Sequence, residues 1–307
     1  MATKNGRLLK RVKGLAKKQG RPYEDALNDV LEWGIDAVER TVSQAKIAAD
    51  VLLVTATQSE FDAVEKHAKL LNLGFEKVQG QEATYFRITT SENQMIAVLK
   101  LKSMGSYGNN GSVLACQRAS LETGAKSFVL VGTAFGCDES RQQEGDILVS
   151  TELHLYDLID VVDDVNGIPY EVASDYAKGA KHKASEHWIT RCREAATSWK
   201  SPAVPSTKIH FGKLLSGGAR IASKTFRDGL IKRIPLTGEP VIGGEMEAAG
   251  VVAVCDKKIR WIVIKGVSDF ATLESRTEIE TSRKTAADQA ARFALEMLNL
   301  KTVSDHG

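Results

Sequence analysis

The chain has 307 residues, 43% of them apolar and 26% charged, and its 41 basic and 39 acidic side chains leave a net charge of +2. That balance excludes bulk disorder, a collagen-like repeat, a disulfide-stapled miniprotein and a polycation that coats nucleic acid along its whole length. What remains is a globular chain long enough to bury a sizeable core.

The first 23 residues carry eight Lys or Arg, from Lys4 to Arg21, and no acid. Then the sign flips: Glu24, Asp25, Asp29, Glu32, Asp36 and Glu39 alternate with apolar residues at three- and four-residue spacing. The pattern predicts a short basic helix near 6–18 and an amphipathic helix over about 22–47, with Pro22 suited to its first position. The basic arm has two readings. One is contact with the phosphates of a nucleic acid or lipid, the other a solvated face whose charge pairs with the acidic helix behind it. A nucleic-acid or protein partner for the arm stays open. Residues 1–48 are read as a helical extension and 49–307 as the main domain.

From residue 51 the grammar changes. Continuous apolar runs at 51–57, 95–101, 127–131, 146–150, 208–215 and 261–267 predict buried strands. Helical spacing at 59–71, 112–123, 185–199, 246–255 and 285–300 predicts helices between and after them. Buried strands bounded by helices mean a mainly parallel sheet covered on both faces, with ligands collecting beyond strand ends. Two polar stretches without period, 157–183 and 271–283, read as a long loop and a flap.

Cys116, Cys137, Cys192 and Cys255 form no C-x-x-C pair, and the six histidines show no ligand spacing, so neither a metal site nor a cofactor is expected. Four scattered thiols suit a reduced cytosol. No apolar segment follows the basic N-terminus, so no signal peptide is expected. The longest apolar stretch of note, Ala248–Cys255, is too short to span a bilayer. A cytoplasmic protein without a membrane partner is the expectation.

Four places put unusual residues at strand ends. They are Thr55-Ala-Thr-Gln-Ser-Glu60, the glycine-rich turn Lys102-Ser-Met-Gly-Ser-Tyr-Gly-Asn-Asn-Gly-Ser112, Val131-Gly-Thr-Ala-Phe-Gly136, and the pair Gly243-Gly-Glu-Met-Glu-Ala-Ala-Gly250 with Lys265-Gly-Val-Ser-Asp-Phe270. Each has a plain reading alone. A glycine turn before a helix is more often a connection than an anion cradle, and Glu60, Glu247 and Asp269 are each able simply to cap a helix or turn.

Together and in this order they resemble the nucleoside phosphorylase and nucleosidase superfamily, which includes the methylthioadenosine/S-adenosylhomocysteine nucleosidases. The resemblance covers about 51–300. It implies a three-layer α/β/α sandwich around a twisted, mainly parallel central sheet, and cleavage of the C1′–N9 bond of a purine ribonucleoside. By resemblance, Asp269 is the acid that protonates N7, which requires it to stay protonated, as burial would favour. Ser268 orients it or touches the base. Glu247 accepts hydrogen bonds from the ribose 2′- and 3′-hydroxyls, and Met246 packs beneath the sugar. Glu60 activates a water on the opposite side, as in glycosidases. Gly132 and Thr133 lie near C1′, Phe135 borders the base, and Glu245, Gly105, Ser106 and Arg220 complete the substrate-binding set. Relatives often complete the 5′ pocket from a neighbouring subunit, which implies at least a homodimer.

The acceptor decides the reaction. Phosphorylases carry an arginine on the strand before the Gly-Thr turn, where this chain reads Ser127-Phe-Val-Leu-Val131. Water is therefore the expected acceptor, with phosphorolysis as the alternative. Lys100, Lys102, Arg141 and Arg220 suggest a second alternative, a 5′-phosphate and hence a nucleotide substrate. The wording SMGSYGNNGS, GTAFGCDES and GGEMEAAG also resembles a branch of the family found as effectors in bacterial antiphage systems, where ATP-like nucleotides are cleaved. A last alternative is an inactive nucleotide-sensing module; the three acids argue against it.

Overall fold

The computed structural model describes residues 4–32, 47–167, 169–173, 181–201, 206–234, 237–255, 259–272 and 276–301. The chain divides into two compact units, Met1–Lys46 and Ile47–Gly307. In the first, α1 (Lys4–Gln19) is followed by α2, helical over 23–32; the rest of the expected 22–47 helix lies outside the described residues. Val12, Ala16 and Ala26 are buried between the two helices and Tyr23, Leu27 and Val30 pack against them. The ammonium of Lys13 lies 5.3 Å from the Tyr23 ring centre, and Arg21 pairs with Asp29 at 2.6 Å.

The second unit is built on a ten-stranded mixed sheet. Its first strand, β1 (Val51–Thr55), is buried at every position, as a run of Val and Leu covered on both faces must be. It lies parallel to β4 (Met95–Lys100) on one side and to β5 (Ser127–Gly136) on the other. Next to β5 runs β12 (Arg260–Asp269), also parallel. The antiparallel pairings fall at the edge, where β2 (Glu76–Gln79) and β3 (Thr84–Thr89) extend the sheet beyond β4, and at the seam between β12 and β6 (Ile147–Leu155). Beyond β6 come β10 (Ile209–Ser216) and β11 (Val241–Glu245), each parallel to its neighbour. β11 then folds back to pair antiparallel with the end of β5, closing β5, β12, β6, β10 and β11 into a ring.

Helices cover both faces. On one, α3 (Gln58–Leu70), α5 (Glu186–Ser198) and α8 (Arg276–Leu298) pack together, and on the other α4 (Ser112–Thr123) packs on α7 (Ala248–Val254). α8 presents Ala286, Ala287, Ala290, Ala291 and Ala294 to the sheet, all buried. These small side chains bring its backbone so close that a Cβ at Gly266 would lie 2.1 Å from the Ala286 carbonyl oxygen. α6 (Lys224–Lys232) carries Arg227, a buried guanidinium that donates to the Phe270 carbonyl at 2.7 Å and so anchors the chain just after β12.

Two stretches expected to be irregular contain regular elements among their described residues. The 157–183 segment contains the hairpin β7 (Ile159–Asp163) and β8 (Pro169–Ala173) and the short β9 (Lys181–Lys183), which pairs with β6. The flap expected over 271–283 is largely helix, because α8 begins at Arg276 and runs a polar first two turns before its apolar face starts. Among the described residues no helix is long and apolar enough to cross a membrane.

Candidate active site

The ring of strands brings its chemistry to one cleft of about 750 Å3, partly open to solvent. Its wall contains Glu60, Thr133, Phe135, Arg220, Glu245, Met246, Glu247, Ser268 and Asp269, nine of the twelve residues expected at the site. The other three stand behind that surface as supports.

Glu60 enters from the start of α3. Thr57 is the N-cap, and Thr57 with Glu60 forms a capping box: the Thr57 hydroxyl accepts from the Glu60 N–H and Glu60 Oε2 accepts from the Thr57 N–H at 2.9 Å. Capping explains one oxygen. It does not explain the other, which reaches across to β5 and accepts from the Thr133 N–H at 2.9 Å and from the Thr133 hydroxyl at 3.3 Å. With Ala56 N–H on Oε2 at 2.8 Å, the buried carboxylate has four protein donors on its two oxygens. This close approach requires a glycine at 132, since a Cβ there would lie 2.5 Å from Glu60 Oε1. Gly132 is thus a clearance behind the carboxylate.

Glu245 and Glu247 come from the end of β11 and the turn into α7. Glu245 points back into its own helix start, accepting from the N–H groups of Glu247 and Ala248, each at 3.0 Å, and so satisfies donors that a helix N-terminus leaves free. Glu247 Oε1 accepts from the Gly105 N–H at 2.9 Å. The glycine-rich turn therefore holds an anion, and that anion is the protein's own Glu247. Gly105 at φ 89° sits in the left-handed region that glycine tolerates, which presents its N–H to the carboxylate. Ser106, 1% exposed, clamps the same segment: its hydroxyl donates to the Met246 carbonyl at 2.9 Å and accepts from the Gly250 N–H at 3.0 Å. Ser112 adds a bond from its hydroxyl to the Glu247 carbonyl at 2.6 Å.

Beneath these acids lies Lys265, which the sequence reading quotes but leaves without a role. It is on β12, fully buried, with Nζ 3.3 Å from Glu245 Oε2 and 3.5 Å from Glu247 Oε2. Its contacts are ionic rather than well-aligned hydrogen bonds. Burial pulls the ammonium towards deprotonation, but Glu245, Glu247 and Glu60 outweigh it and hold the pKa above that of a free lysine. A buried cation four residues before Asp269 on an otherwise apolar strand is the signal that finds it: Lys is almost never fully buried unless paired.

Asp269 ends β12. Its Oδ1 accepts from the Ala271 N–H at 2.8 Å and its Oδ2 lies 2.9 Å from the Ser268 hydroxyl. Ala271 is at φ 58°, a strained conformation for a residue with a Cβ, held here by that bond and by complete burial of the side chain. Asp269 is half-buried rather than sealed from solvent. Phe135 joins Leu215, Ile221, Leu230 and Ala271 in a second apolar cluster that floors this end of the cleft. A Cβ at Gly244 would lie 2.2 Å from the Phe135 ring, so the β11 glycine fixes that ring against the strand.

Two arginines face the cleft. Arg220, from the loop after β10, is the expected one; Arg283 comes from α8, inside the stretch read as a flap. Neither pairs with an acid among the described residues. No group of three or more His, Cys, Asp or Glu side chains among the described residues could hold a metal ion.

The chain is similar to known proteins along most of its length. Over 169 residues it is 26% identical to a 5′-methylthioadenosine/S-adenosylhomocysteine nucleosidase of Haemophilus ducreyi, a match that spans 55% of this chain and 66% of that protein. Over 277 residues it is 24% identical to a Death domain-containing ATP nucleosidase of Amphimedon queenslandica, spanning 83% of this chain and half of that longer one. The crystal structure of the Neisseria meningitidis 5′-methylthioadenosine/S-adenosylhomocysteine nucleosidase, in complex with methylthio-immucillin-A, superposes with a TM-score of 0.64 at 19% identity, covering 81% of this chain and 98% of that one. That likeness extends to the fold, down to the mixed sheet with helices on both sides. The phosphorylase superfamily model matches residues 50–299, from the strand that launches Glu60 to the end of the helix that carries Arg283, and the chain belongs to that superfamily.

Proposed function

We propose that residues 49–307 form a purine nucleosidase that hydrolyses the N-glycosidic bond of an adenine-type nucleoside or nucleotide, with residues 1–48 an appended unit. The observation that carries this reading is a pair of carboxyls in different settings on one cleft. Glu60 is buried under four protein donors, and Asp269 is half-buried beside Ser268. In this reading Asp269 donates a proton to N7, so the base departs neutral, and Ser268 holds it in place. A bound purine covers the exposed side of Asp269 and completes its separation from water. Glu247 keeps Oε1 on Gly105 and offers its other oxygen to the ribose hydroxyls, above Met246. Phe135 and Ile221 border the base.

Glu60 readies the water. Its weakest donor is the Thr133 hydroxyl at 3.3 Å, the one a water replaces when substrate enters. A phosphate acceptor would need a cation beside Glu60, on the strand where phosphorylases carry theirs; Arg220 and Arg283 come from other elements, the loop after β10 and α8. Lys265 is already compensated by Glu245 and Glu247, and β5 carries no basic residue between Ser127 and Val131. Both favour water over phosphate. The nucleosidase relatives support the same class.

A second reading, a nucleotide rather than a nucleoside, rests on Arg220 and Arg283. Two guanidinium groups that pair with no acid among the described residues suit a 5′-phosphate chain, the ATP nucleosidase relative supports it, and a role as a defence effector would follow from it. Incubating the full chain with adenosine, methylthioadenosine, AMP and ATP in phosphate-free buffer, with free adenine read by chromatography, separates the cases. Adenine from the nucleosides supports the first reading. Adenine from AMP and ATP alone, lost in Arg220→Gln/Arg283→Gln, supports the second. No adenine from any of them overturns both in favour of an inactive sensor.

A further inference from the structure

Four features lie outside the site: a cleft beside β9 lined by both lysines and glutamates, a hollow beside His210, the buried thiols, and the outer face of α1. The last carries furthest. Lys10, Arg11, Lys13, Lys17 and Lys18 are all exposed on α1. At 100° per residue they span about 160° of arc, centred opposite the stripe formed by Val12 and Ala16. That stripe is taken, since both residues are 4% exposed against α2. The acids of the unit follow Arg21 in sequence, and among the described residues the ion pair they make with the arm is Asp29 on Arg21. Lys10, Arg11, Lys17 and Lys18 pair with no acid among the described residues. Among the described residues the expected pairing of the arm with the acidic helix is made by Arg21 and Asp29 and leaves this face uncompensated. The chain's net charge of +2, against eight cations and no acid in its first 23 residues, means the positive charge is concentrated here.

We infer that the outer face of α1 is a docking surface for the backbone of B-form DNA, read without regard to sequence. Two features favour DNA over other polyanions. The helix is 16 residues long, about 24 Å, and cations flank it on both sides, with Lys13, Lys10 and Lys17 along one edge and Arg11 and Lys18 along the other. A helix so charged fits a groove about 12 Å wide with a phosphate wall on each side, whereas the deep, narrow major groove of double-stranded RNA does not admit it. Between the two edges lies Gly14, with nothing within 4 Å of where a Cβ would be, so the backbone can sit deep in the groove and no side chain there reads a base. An anionic bilayer fits less well, because an interfacial helix buries a broad apolar face in lipid, and among the described residues of this one Val12 and Ala16 are spent on α2 and Leu15 alone is an exposed large apolar side chain.

The test uses the full chain and a fluorescent DNA duplex of about two helical turns, a double-stranded RNA of matching sequence, and phosphatidylglycerol vesicles. Micromolar binding to DNA is expected at low salt, with a log–log salt slope of about −4, a loss of roughly 10²–10³-fold in affinity between about 50 and about 200 mM. Lys10→Gln/Arg11→Gln/Lys17→Gln/Lys18→Gln should flatten the slope to about −1, the share left to Lys13, with helical circular dichroism intact. The slope of the unaltered chain stands as evidence even if the variant misfolds. No DNA binding at low salt, a salt slope near zero in the parent, or tighter binding to RNA or vesicles than to DNA each overturns the inference.

Discussion

Replacing Lys265 with methionine keeps the length of the side chain and removes its charge. In the parent, the ammonium stands between Glu245 and Glu247, whose side chains are 1% and 8% exposed. Without it, two carboxylates share a buried space with no cation. Glu245 keeps its bonds from the start of α7, while Glu247 keeps the single bond from Gly105. Breaking a buried ion pair by removing one partner costs about 3–5 kcal/mol, because the remaining charge is left unpaired. For a unit of this size that is a fall on the order of 10 °C in the unfolding midpoint. The pH dependence has a definite sign. A lysine whose folded-state pKa is raised contributes its full stability below its unfolded value, and loses it only as pH climbs above that value and through the raised one. The deficit of Lys265→Met should therefore be complete at neutral pH and narrow only in strongly alkaline buffer. Adding Glu247→Gln removes one of the two orphaned charges and should recover part of the loss, a coupling visible in a double-mutant cycle. The assay is thermal unfolding of the four proteins. A Lys265→Met midpoint equal to the parent's, or a double variant less stable than the sum of the singles, refutes the reasoning.

Three further outcomes follow from the same contacts. Asp269→Asn retains the bond from Ala271 and the shape of the site but has no proton to give, so base release should slow about 10²–10⁴-fold with the unfolding midpoint unchanged; full activity would remove Asp269 from the acid role. Gly132→Ala places a Cβ against Glu60 Oε1, and pushing that carboxylate off Thr133 should lower kcat far more than KM, read by steady-state kinetics. Asp288 joins α8 to α3 through His67 and Lys66; burial opposes its ionisation, but the hydrogen bonds from His67 and Lys66 outweigh it and hold its carboxyl down at about 2, from 3.8. A depressed carboxyl stabilises above its unfolded value and loses that contribution as pH falls toward 2. Asp288→Asn should thus cost about 1–2 kcal/mol at neutral pH, little at pH 2 and nothing well below it, as followed by urea unfolding across acid pH.

The buried strands were legible because covered strands leave a continuous apolar signature: β1, β4 and the body of β5 and β12 fall where Val, Ile and Leu run together. β11 was not, since Val-Ile-Gly-Gly-Glu has glycines where the strand passes against Phe135, and close packing removed the side chains that would have marked it. β2 and β3 escaped for the opposite reason, as exposed edge strands mix Glu, Lys, Gln and Arg with their apolar positions. The start of α8 was hidden by a polar first two turns that have no apolar face to display. At the site, the acids were legible from their order along the chain. What each one touches was not. Glu60 bonds to Thr133 across 73 residues of sequence and Glu247 to Gly105 across 142, and no local pattern encodes such pairings. Lys265 carries a local signal, a cation within an apolar strand, but its partners, at the end of β11 and in the turn into α7, are no more encoded locally than those of Glu60.

The central claim is that this cleft delivers water, not phosphate, to the sugar carbon as the purine leaves. Product analysis by NMR, with the full chain turning over its preferred adenine substrate in buffer containing inorganic phosphate, addresses it most directly. One free base and one reducing sugar per turnover, with no 1-phosphorylated sugar and a rate independent of phosphate, is the predicted result. A 1-phosphorylated sugar as the product, or turnover that stops when phosphate is withheld, would contradict it.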